Sequence, residues 1–307
     1  MTALITRIPT STDDERKPAA VVGVDAQICA DPLVAEYFHP GKASISGIAA
    51  GTDQPFAWRG LKTGVRMTPA EAGYQPTYVA DGGSGYGALK FGSGANAGLS
   101  GGSLSDTHNG ALACPLDALL FPPQDDAMGI ANPYSIVVAC KTPASAVGDD
   151  IYPGAIAGTM TRFPDSTSVN QNDWAGIGIG LGSISENRGF FAGRGLVGAA
   201  VSTSNDATDA WVILSGIFDL AGNQYVLRRN GVQVAVTAVT QSAPTAERAG
   251  YRQLRIGSAG DIGAAIERTY IGQIGAVAIM HAAGNAGSGL TSMQRIEARL
   301  KAMYGVA

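Results

Sequence analysis

The sequence predicts an all-β protein, a sandwich of two antiparallel sheets with one short α-helix at its C-terminal end. Three observations carry this. Apolar runs recur at roughly ten-residue intervals after residue 133, with turn residues between them. Glycine supplies 42 of the 307 residues, about double its average share. Residues 224–236, QYVLRRNGVQVAV, join two alternating runs through Asn230-Gly231, the strongest short-range hairpin signal.

The elements follow in chain order. Residues 1–20 are polar, with the charged run Asp13-Asp14-Glu15-Arg16-Lys17 before Pro18, and read as an extended N-terminal arm. The arm is set at 1–30 and the sandwich at 31–307, its start falling between 20 and 55. VVGV (21–24) reads as a first short strand. From 40 to 112 turn residues dominate (GTDQP, GLKTG, DGGSGYG, GSGANAG), with brief apolar islands such as Leu89 and Phe91. This stretch reads as loop-rich β structure or a surface meander.

YSIVVACK (134–141) is almost continuously apolar, as a central strand covered on both faces would be. GAIAGTM (154–160) follows. WAGIGIGLG (174–182) reads as one strand with Ile177, Ile179 and Leu181 on one face and Gly176, Gly178 and Gly180 on the other. A bare glycine face admits close approach of a ring, which Phe190 or Phe191 could supply. LVGAAVS (196–202), WVILSGIF (211–218), the hairpin, RQLRIGS (252–258) and YIGQIGAVAIMH (270–281) complete the strands. In the hairpin both turn residues need φ > 0, which Asn tolerates and Gly adopts freely. The helix is read at LTSMQRIEARLKAMYG (290–305). Thr291 and Gln294 make a capping box, Met293, Ile296, Leu300 and Met303 form the apolar stripe, and Gly305 stands as the C-terminal cap.

Composition excludes several function classes. Charged residues are 15% and net charge is −4, and no Lys/Arg stripe alternates with aromatics, so nucleic acid is not an expected partner. The N-terminus lacks an apolar signal core, so no signal peptide and synthesis in a cytoplasm are expected. No membrane span is expected, since 18 uninterrupted apolar residues never occur. Cys29, Cys114 and Cys140 are too few and too scattered for a disulfide framework or zinc site, and read as buried thiols.

Each chemical motif meets a structural objection. Gly193-x-Gly195-x-x-Gly198, with Asp219 downstream, matches a dinucleotide fingerprint, but AAVSTSND after it does not open a helix. It reads as a glycine-rich strand connection. Gly98-x-Ser100-x-Gly102 matches a nucleophile elbow without the flanking strand and helix. His39, His108 and His281 lack metal-ligand spacing. Glycoside hydrolysis needs two carboxylates across a cleft. None of Glu15, Glu36, Glu71, Glu186, Glu247, Glu267 and Glu297 has an acidic partner two or four residues away in a strand. No cofactor is expected. Ca²⁺ is the one metal with oxygen-rich loops to hold it, at Asp149-Asp150, Asn172-Asp173 and Asn205-Asp206 with Asp209, although these read first as solvated carboxylates. Trp58, Trp174, Trp211, Tyr152 and Tyr251 are the aromatics available for stacking on sugars; Trp211 reads as core, and Trp174 as rim or core.

Taken in order, QPTYVADGGSGYGALKFGSGANAGLS (75–100), YSIVVACK, YVLRRNGVQVAV, RIGSAGD and the final stretch YIGQIGAVAIMHAAGNAGSGLTSMQRIEARLKAMYGV resemble concanavalin A-like (laminin-G-like) lectin/glucanase domains found in phage structural and bacterial surface proteins. The likeness covers roughly 55–307. It implies a jelly-roll sandwich with a binding or structural role. Two departures matter: Gly275-Ala276 replaces the acidic residue usual after the Gly-x-Ile of the last strand, and the EIDxE signature of the sandwich glucanases is absent.

The leading expectation is therefore a non-enzymatic virion structural protein of a tailed bacteriophage (tail, fibre or capsid-decorating). It would be located in the virion, with other virion proteins and copies of itself as partners. The alternative is a carbohydrate-binding adhesin that meets a host surface glycan through Trp174, Tyr152 and Asp173. A glycoside hydrolase stands third.

Overall fold

In the computed structural model the described residues are 23–41, 45–46, 56–69, 76–82, 85–91, 112–115, 133–141, 154–158, 161–162, 174–175, 178–181, 190–193, 200–202, 209–219, 222–238, 253–258, 270 and 272–307. Helix α1 (Val24–Cys29) is followed by β1 (Val34–Phe38), β2 (Ile45–Ser46), β3 (Ala57–Arg59), β4 (Arg66–Pro69), β5 (Thr77–Val79), β6 (Ala88–Phe91) and β7 (Leu112–Pro115). Next come β8 (Tyr134–Lys141), β9 (Gly154–Gly158), β10 (Thr161–Arg162), β11 (Trp174–Ala175), β12 (Gly178–Leu181), β13 (Phe190–Gly193) and β14 (Ala200–Val201). The last elements are β15 (Trp211–Asp219), β16 (Gln224–Arg229), β17 (Val232–Ala238), β18 (Gln253–Ile256), β19 (Gly272–Met280) and α2 (Gly287–Tyr304).

Two antiparallel sheets carry most of these strands. The first runs β17-β16-β15-β8-β19-β6-β5, with β1 also paired to β19. The second runs β14-β13-β12-β9-β18-β7-β4-β3-β2, and β10 pairs with β11 separately. The all-β sandwich with a C-terminal helix is the architecture that the strand spacing predicts.

The two-residue period of a strand sorts side chains between two apolar layers. From β8, Tyr134, Ile136, Val138 and Cys140 enter the layer between the sheets, while Val137 and Ala139 face the layer beneath α2. β15 splits likewise, with Leu214 and Phe218 inward and Ile213 and Ile217 toward the helix. That double burial is why the sequence of β8 shows no alternation. The stripe Met293, Ile296, Leu300 and Met303 seals the outer layer.

Within that outer layer lies a buried ion pair with a serine hydroxyl beside it. Glu297, 2% exposed, accepts hydrogen bonds from Ser215 Oγ at 2.7 Å, Arg228 Nε at 2.8 Å and Arg228 Nη2 at 3.0 Å. Arg228 Nη2 also donates to the Gly231 carbonyl, and Lys301 Nζ donates to the Asn230 carbonyl at 3.3 Å. The helix is thereby tied to the hairpin tip. Asn230 (φ 51°) and Gly231 (φ 87°) both take the left-handed backbone the type I′ turn requires. Glu36 is the other buried glutamate among the described residues. It accepts from Lys62 N at 2.8 Å, Thr63 N at 3.0 Å and Thr63 Oγ1, and so closes the turn after β3.

Several local readings need correction. VVGV does not give a strand at its described end: Val24 opens α1, which packs Ile28 fully into the outer layer. Valine favours strands only weakly, and here the packing of Ile28 decides. The helix begins at Gly287, with Ala286 at its N-cap and no side-chain cap. Thr291 therefore lies one turn inside, where its hydroxyl donates to the Gly287 carbonyl at 3.1 Å, and makes no capping box. The described parts of WAGIGIGLG are β11, paired to β10, and β12, paired to β9 and β13; Gly176 and Ile177 between them lie outside the described residues. Gly180 does lie directly across from Phe191. Of the fingerprint-like glycines, Gly193 ends β13, which pairs antiparallel with β14; Gly195 and Gly198 lie outside the described residues. Gly98, Ser100 and Gly102 lie outside the described residues.

Cys114 and Cys140 are buried thiols outside any disulfide. Cys29 is half-buried, and burial, aided by the charges of Glu36 and Asp25, pushes its thiol up to about 12. Among the described residues no helix is long and apolar enough to cross a membrane.

Glu297→Ala leaves the Arg228 guanidinium buried without its carboxylate. Urea unfolding is expected to show a loss of about 3–5 kcal/mol, the usual cost of breaking a buried pair. Replacing both partners by apolar residues of similar volume, Arg228→Met with Glu297→Met, is expected to recover most of it.

Candidate functional site

The central strands, Gly82 with Tyr86, and the end of α2 meet at an open cleft of about 630 Å³. Trp211 stands at the first position of β15, Lys141 at the last of β8, and Tyr304 at the last of α2. Gly82, Tyr86, Asp209 and Asn230 complete the lining that matters chemically. Gly305 (φ 64°) ends the helix in the left-handed conformation, so the apolar cover stops here.

The lining is aromatic on one side. Trp211 and Tyr304 lie 4.4 Å apart between ring centroids, tilted by 36°. Tyr304 meets Tyr86 at 5.9 Å, Tyr86 meets His39 at 5.8 Å, and His39 stacks on Tyr37 at 6.3 Å. The row therefore runs from the open cleft to the buried end of β1. Trp211 Nε1 donates to the Gly82 carbonyl at 2.7 Å, which holds the indole in place. Tyr304 Oη donates to the Gly87 carbonyl at 3.4 Å. Tyr86 is the most open member, 37% exposed.

The other side is polar. Lys141 Nζ lies 3.2 Å from Asp209 Oδ1, whose side chain is 60% exposed. Asp209 holds φ 51°, a left-handed conformation that Asp adopts more readily than most residues. Asn230 is held from below, its Oδ1 accepting from Ile213 N at 2.9 Å. At the inner end of the row, His39 Nδ1 lies 3.3 Å from Asp25 Oδ2. An aromatic wall facing hydroxyl-binding groups suits a ligand with one apolar face and a polar rim.

Gly275 is what allows this arrangement. A β-carbon there would lie 2.3 Å from the Tyr304 ring. The residue sits at the bulge in β19, where pairing to β8 skips from Ile274 to Ala276. An acidic side chain at this position would expel Tyr304, so the departure Gly275-Ala276 has a steric reason.

Most of the residues expected from sequence to bind lie outside the described residues. Trp174 opens β11, but its side chain, like Tyr152 and Asp173, lies outside the described residues. Asp149, Asp150, Asn172, Asn205 and Asp206 lie outside them too. Asp209, read as part of a calcium loop, is engaged with Lys141. Among the described residues no three His, Cys, Asp or Glu converge as a metal site. Trp211, read as core, is only partly buried and walls the cleft. Trp58 is fully buried in the core. Tyr304 shares the helical stripe at i+4 from Leu300, a spacing that marks it as inward-facing. Tyr86 carries no sequence signal beyond its flanking glycines.

Two consequences are testable. Gly275→Ala is expected to displace Tyr304 and cost about 1–3 kcal/mol, as overpacking does, with a shift in Trp211 emission alongside the urea midpoint. Burial pushes the Tyr304 phenol well above the usual tyrosine range, with Asp25 and then Tyr86 adding to it. Tyr37 is raised by burial and by Asp25. A phenol raised by folding ionises first in the unfolded chain, so its stabilisation is complete below about pH 10 and is lost as pH rises past that. Tyr304→Phe keeps the ring and removes one such group. Circular dichroism against pH is expected to show a shallower alkaline loss of structure in that variant.

No protein-family model and no curated protein matches the sequence. Solved structures similar in fold include domain 4 of AbnA, a GH43 extracellular arabinanase from Geobacillus stearothermophilus, in complex with arabinotriose (14% identity, TM-score 0.40, 76% of this chain and 82% of that one). A second is the Trypanosoma rangeli sialidase in complex with sialic acid (13% identity, TM-score 0.48, 87% of this chain). A third is the binding domain of Paraclostridial Mosquitocidal Protein 1 (8% identity, TM-score 0.49, 88% of this chain). The chain spans 32% of the sialidase chain and 52% of the toxin domain chain.

Proposed function

We propose that the chain is a glycan-binding module whose binding face is the cleft walled by Trp211, Tyr304 and Tyr86. The observation that carries this reading is the pairing of a fixed aromatic wall with an exposed, charged and amide-bearing rim in one open cleft. A sugar ring lays its C–H face on an aromatic ring and turns its hydroxyls to carboxylate, ammonium and amide groups. Trp211 and Tyr86 supply the first surface, and Asp209, Lys141 and Asn230 the second. Preorganisation helps, because the indole is already held by Gly82 and incurs little ordering cost on binding.

Titration of the full chain against neutral and acidic oligosaccharides, followed by tryptophan emission and calorimetry, tests this. Binding at about millimolar Kd or tighter is expected. Trp211→Ala and Tyr86→Ala should each weaken it at least tenfold while the circular dichroism spectrum stays unchanged. A silent panel, or binding indifferent to both substitutions, overturns the reading.

A second reading, a virion structural component of a tailed phage, is favoured by the exposed valines of β17, since a part that assembles with copies of itself needs apolar contact surface. Absence of the chain from purified virions by mass spectrometry overturns it.

A further inference from the structure

Strand β17 ends the first sheet. β16 pairs with one of its edges, and among the described residues no strand pairs with the other. An edge of this kind presents N–H and C=O groups to any extended chain that approaches. Natural edges are commonly guarded by lysine, proline or an inward-pointing charge. Val232–Ala238, VQVAVTA, contains none of these. Val232, Val234 and Val236 are instead 64%, 42% and 54% exposed. One guard is present, a bulge at Val234 where pairing skips from Arg228↔Gln233 to Leu227↔Ala235. It twists the strand without charging it.

We propose that β17 pairs antiparallel with β17 of a second copy about a two-fold axis, making one sheet continuous through both molecules. The charge distribution selects this occupant. The cations described at the hairpin end, Arg228, Arg229 and Lys301, are each engaged within the chain, Arg228 with Glu297 and Lys301 with the Asn230 carbonyl. Two-fold symmetry makes the strands antiparallel, so the hairpin end of one copy lies beside the Gln224 and Ala238 end of the other. The two Arg229 groups are then on the order of 20 Å apart, well beyond a screening length of about 8 Å. A parallel approach would set them side by side. Valine meets valine on an uncharged strand, whereas a charged foreign peptide finds no counter-charge on it. A seven-residue strand contact is small beside the roughly 1,200 Å² of a stable assembly, so the dimer forms in a concentration-dependent way.

Sedimentation velocity of the full chain from about 1 μM to about 1 mM is expected to show a monomer passing to a dimer. Val236→Lys and, separately, Val234→Lys should raise the dimer Kd at least tenfold without changing the circular dichroism spectrum. Hydrogen exchange supplies the second measurement: amides of 232–238 should gain protection as concentration rises, while those of β5 at the opposite sheet end do not. A chain that stays monomeric throughout overturns the proposal. So does a dimer untouched by both lysines, or one whose 232–238 amides exchange at a rate independent of concentration, as an interface elsewhere or a foreign peptide partner would give.

Discussion

Covering the central strands on both faces is the constraint from which the rest of the molecule follows. β8, β15 and β19 are apolar at successive positions, so neither of their faces can be left to water. The inner face is met by the second sheet. The outer face needs a separate cover, and α2 with the short α1 provides it. Each fully buried aliphatic or aromatic side chain contributes about 1.5–3 kcal/mol, so the layer under the helix is a large share of the favourable energy. Apolar contact alone has no direction. The Glu297, Arg228 and Ser215 group supplies direction, because its hydrogen bonds are satisfied only when the helix lies at one place along the sheet.

The cleft is a by-product of where that cover stops. Gly305 turns the chain out of the helix while β15 and β8 still have residues to shield. Trp211 and Lys141 are the first strand positions beyond the helix end, and they are aromatic and charged where their neighbours under α2 are aliphatic. Tyr304 makes the transition, its ring on β19 over Gly275 and its hydroxyl toward Gly87. The same row of rings then passes through Tyr86 and His39 to Tyr37, joining the cleft to β1.

How much of this was legible in the sequence depends on how local each cause is. The Asn230-Gly231 turn was readable because its backbone torsions are a demand on two residues. The helix was readable because its period is carried by its own side chains. Its start was misplaced because Thr291 and Gln294 satisfy a local pattern, while the helix gains another turn, from Gly287, that no local pattern marks. Val24 was misread for a similar reason, since the packing of Ile28 against β1 and α2 decides the conformation there. The cleft was not readable. Its walls come from five separated stretches, and nothing near Trp211 in sequence announces that Tyr304 will stack on it. The expectation for Trp174, Tyr152 and Asp173 uses loop position and residue type, which do not reach side chains at strand and helix ends; those three side chains lie outside the described residues.

The place of β19 in the first sheet bears on how the chain acquires its shape. This strand lies between β8 on one side and β6 and β1 on the other, and all three precede it by long stretches of chain. Until it is synthesised and inserted, the sheet is in three pieces, β17-β16-β15-β8, β6-β5 and β1, and α2, which follows it in sequence, is not yet there to cover them. Pairings so distant in sequence incur a high loop-closure entropy before any contact rewards it, which places the molecule among slow folders. The interval before insertion is when its valine-rich strands are most open to aggregation, so the last strand to arrive governs how long that exposure lasts.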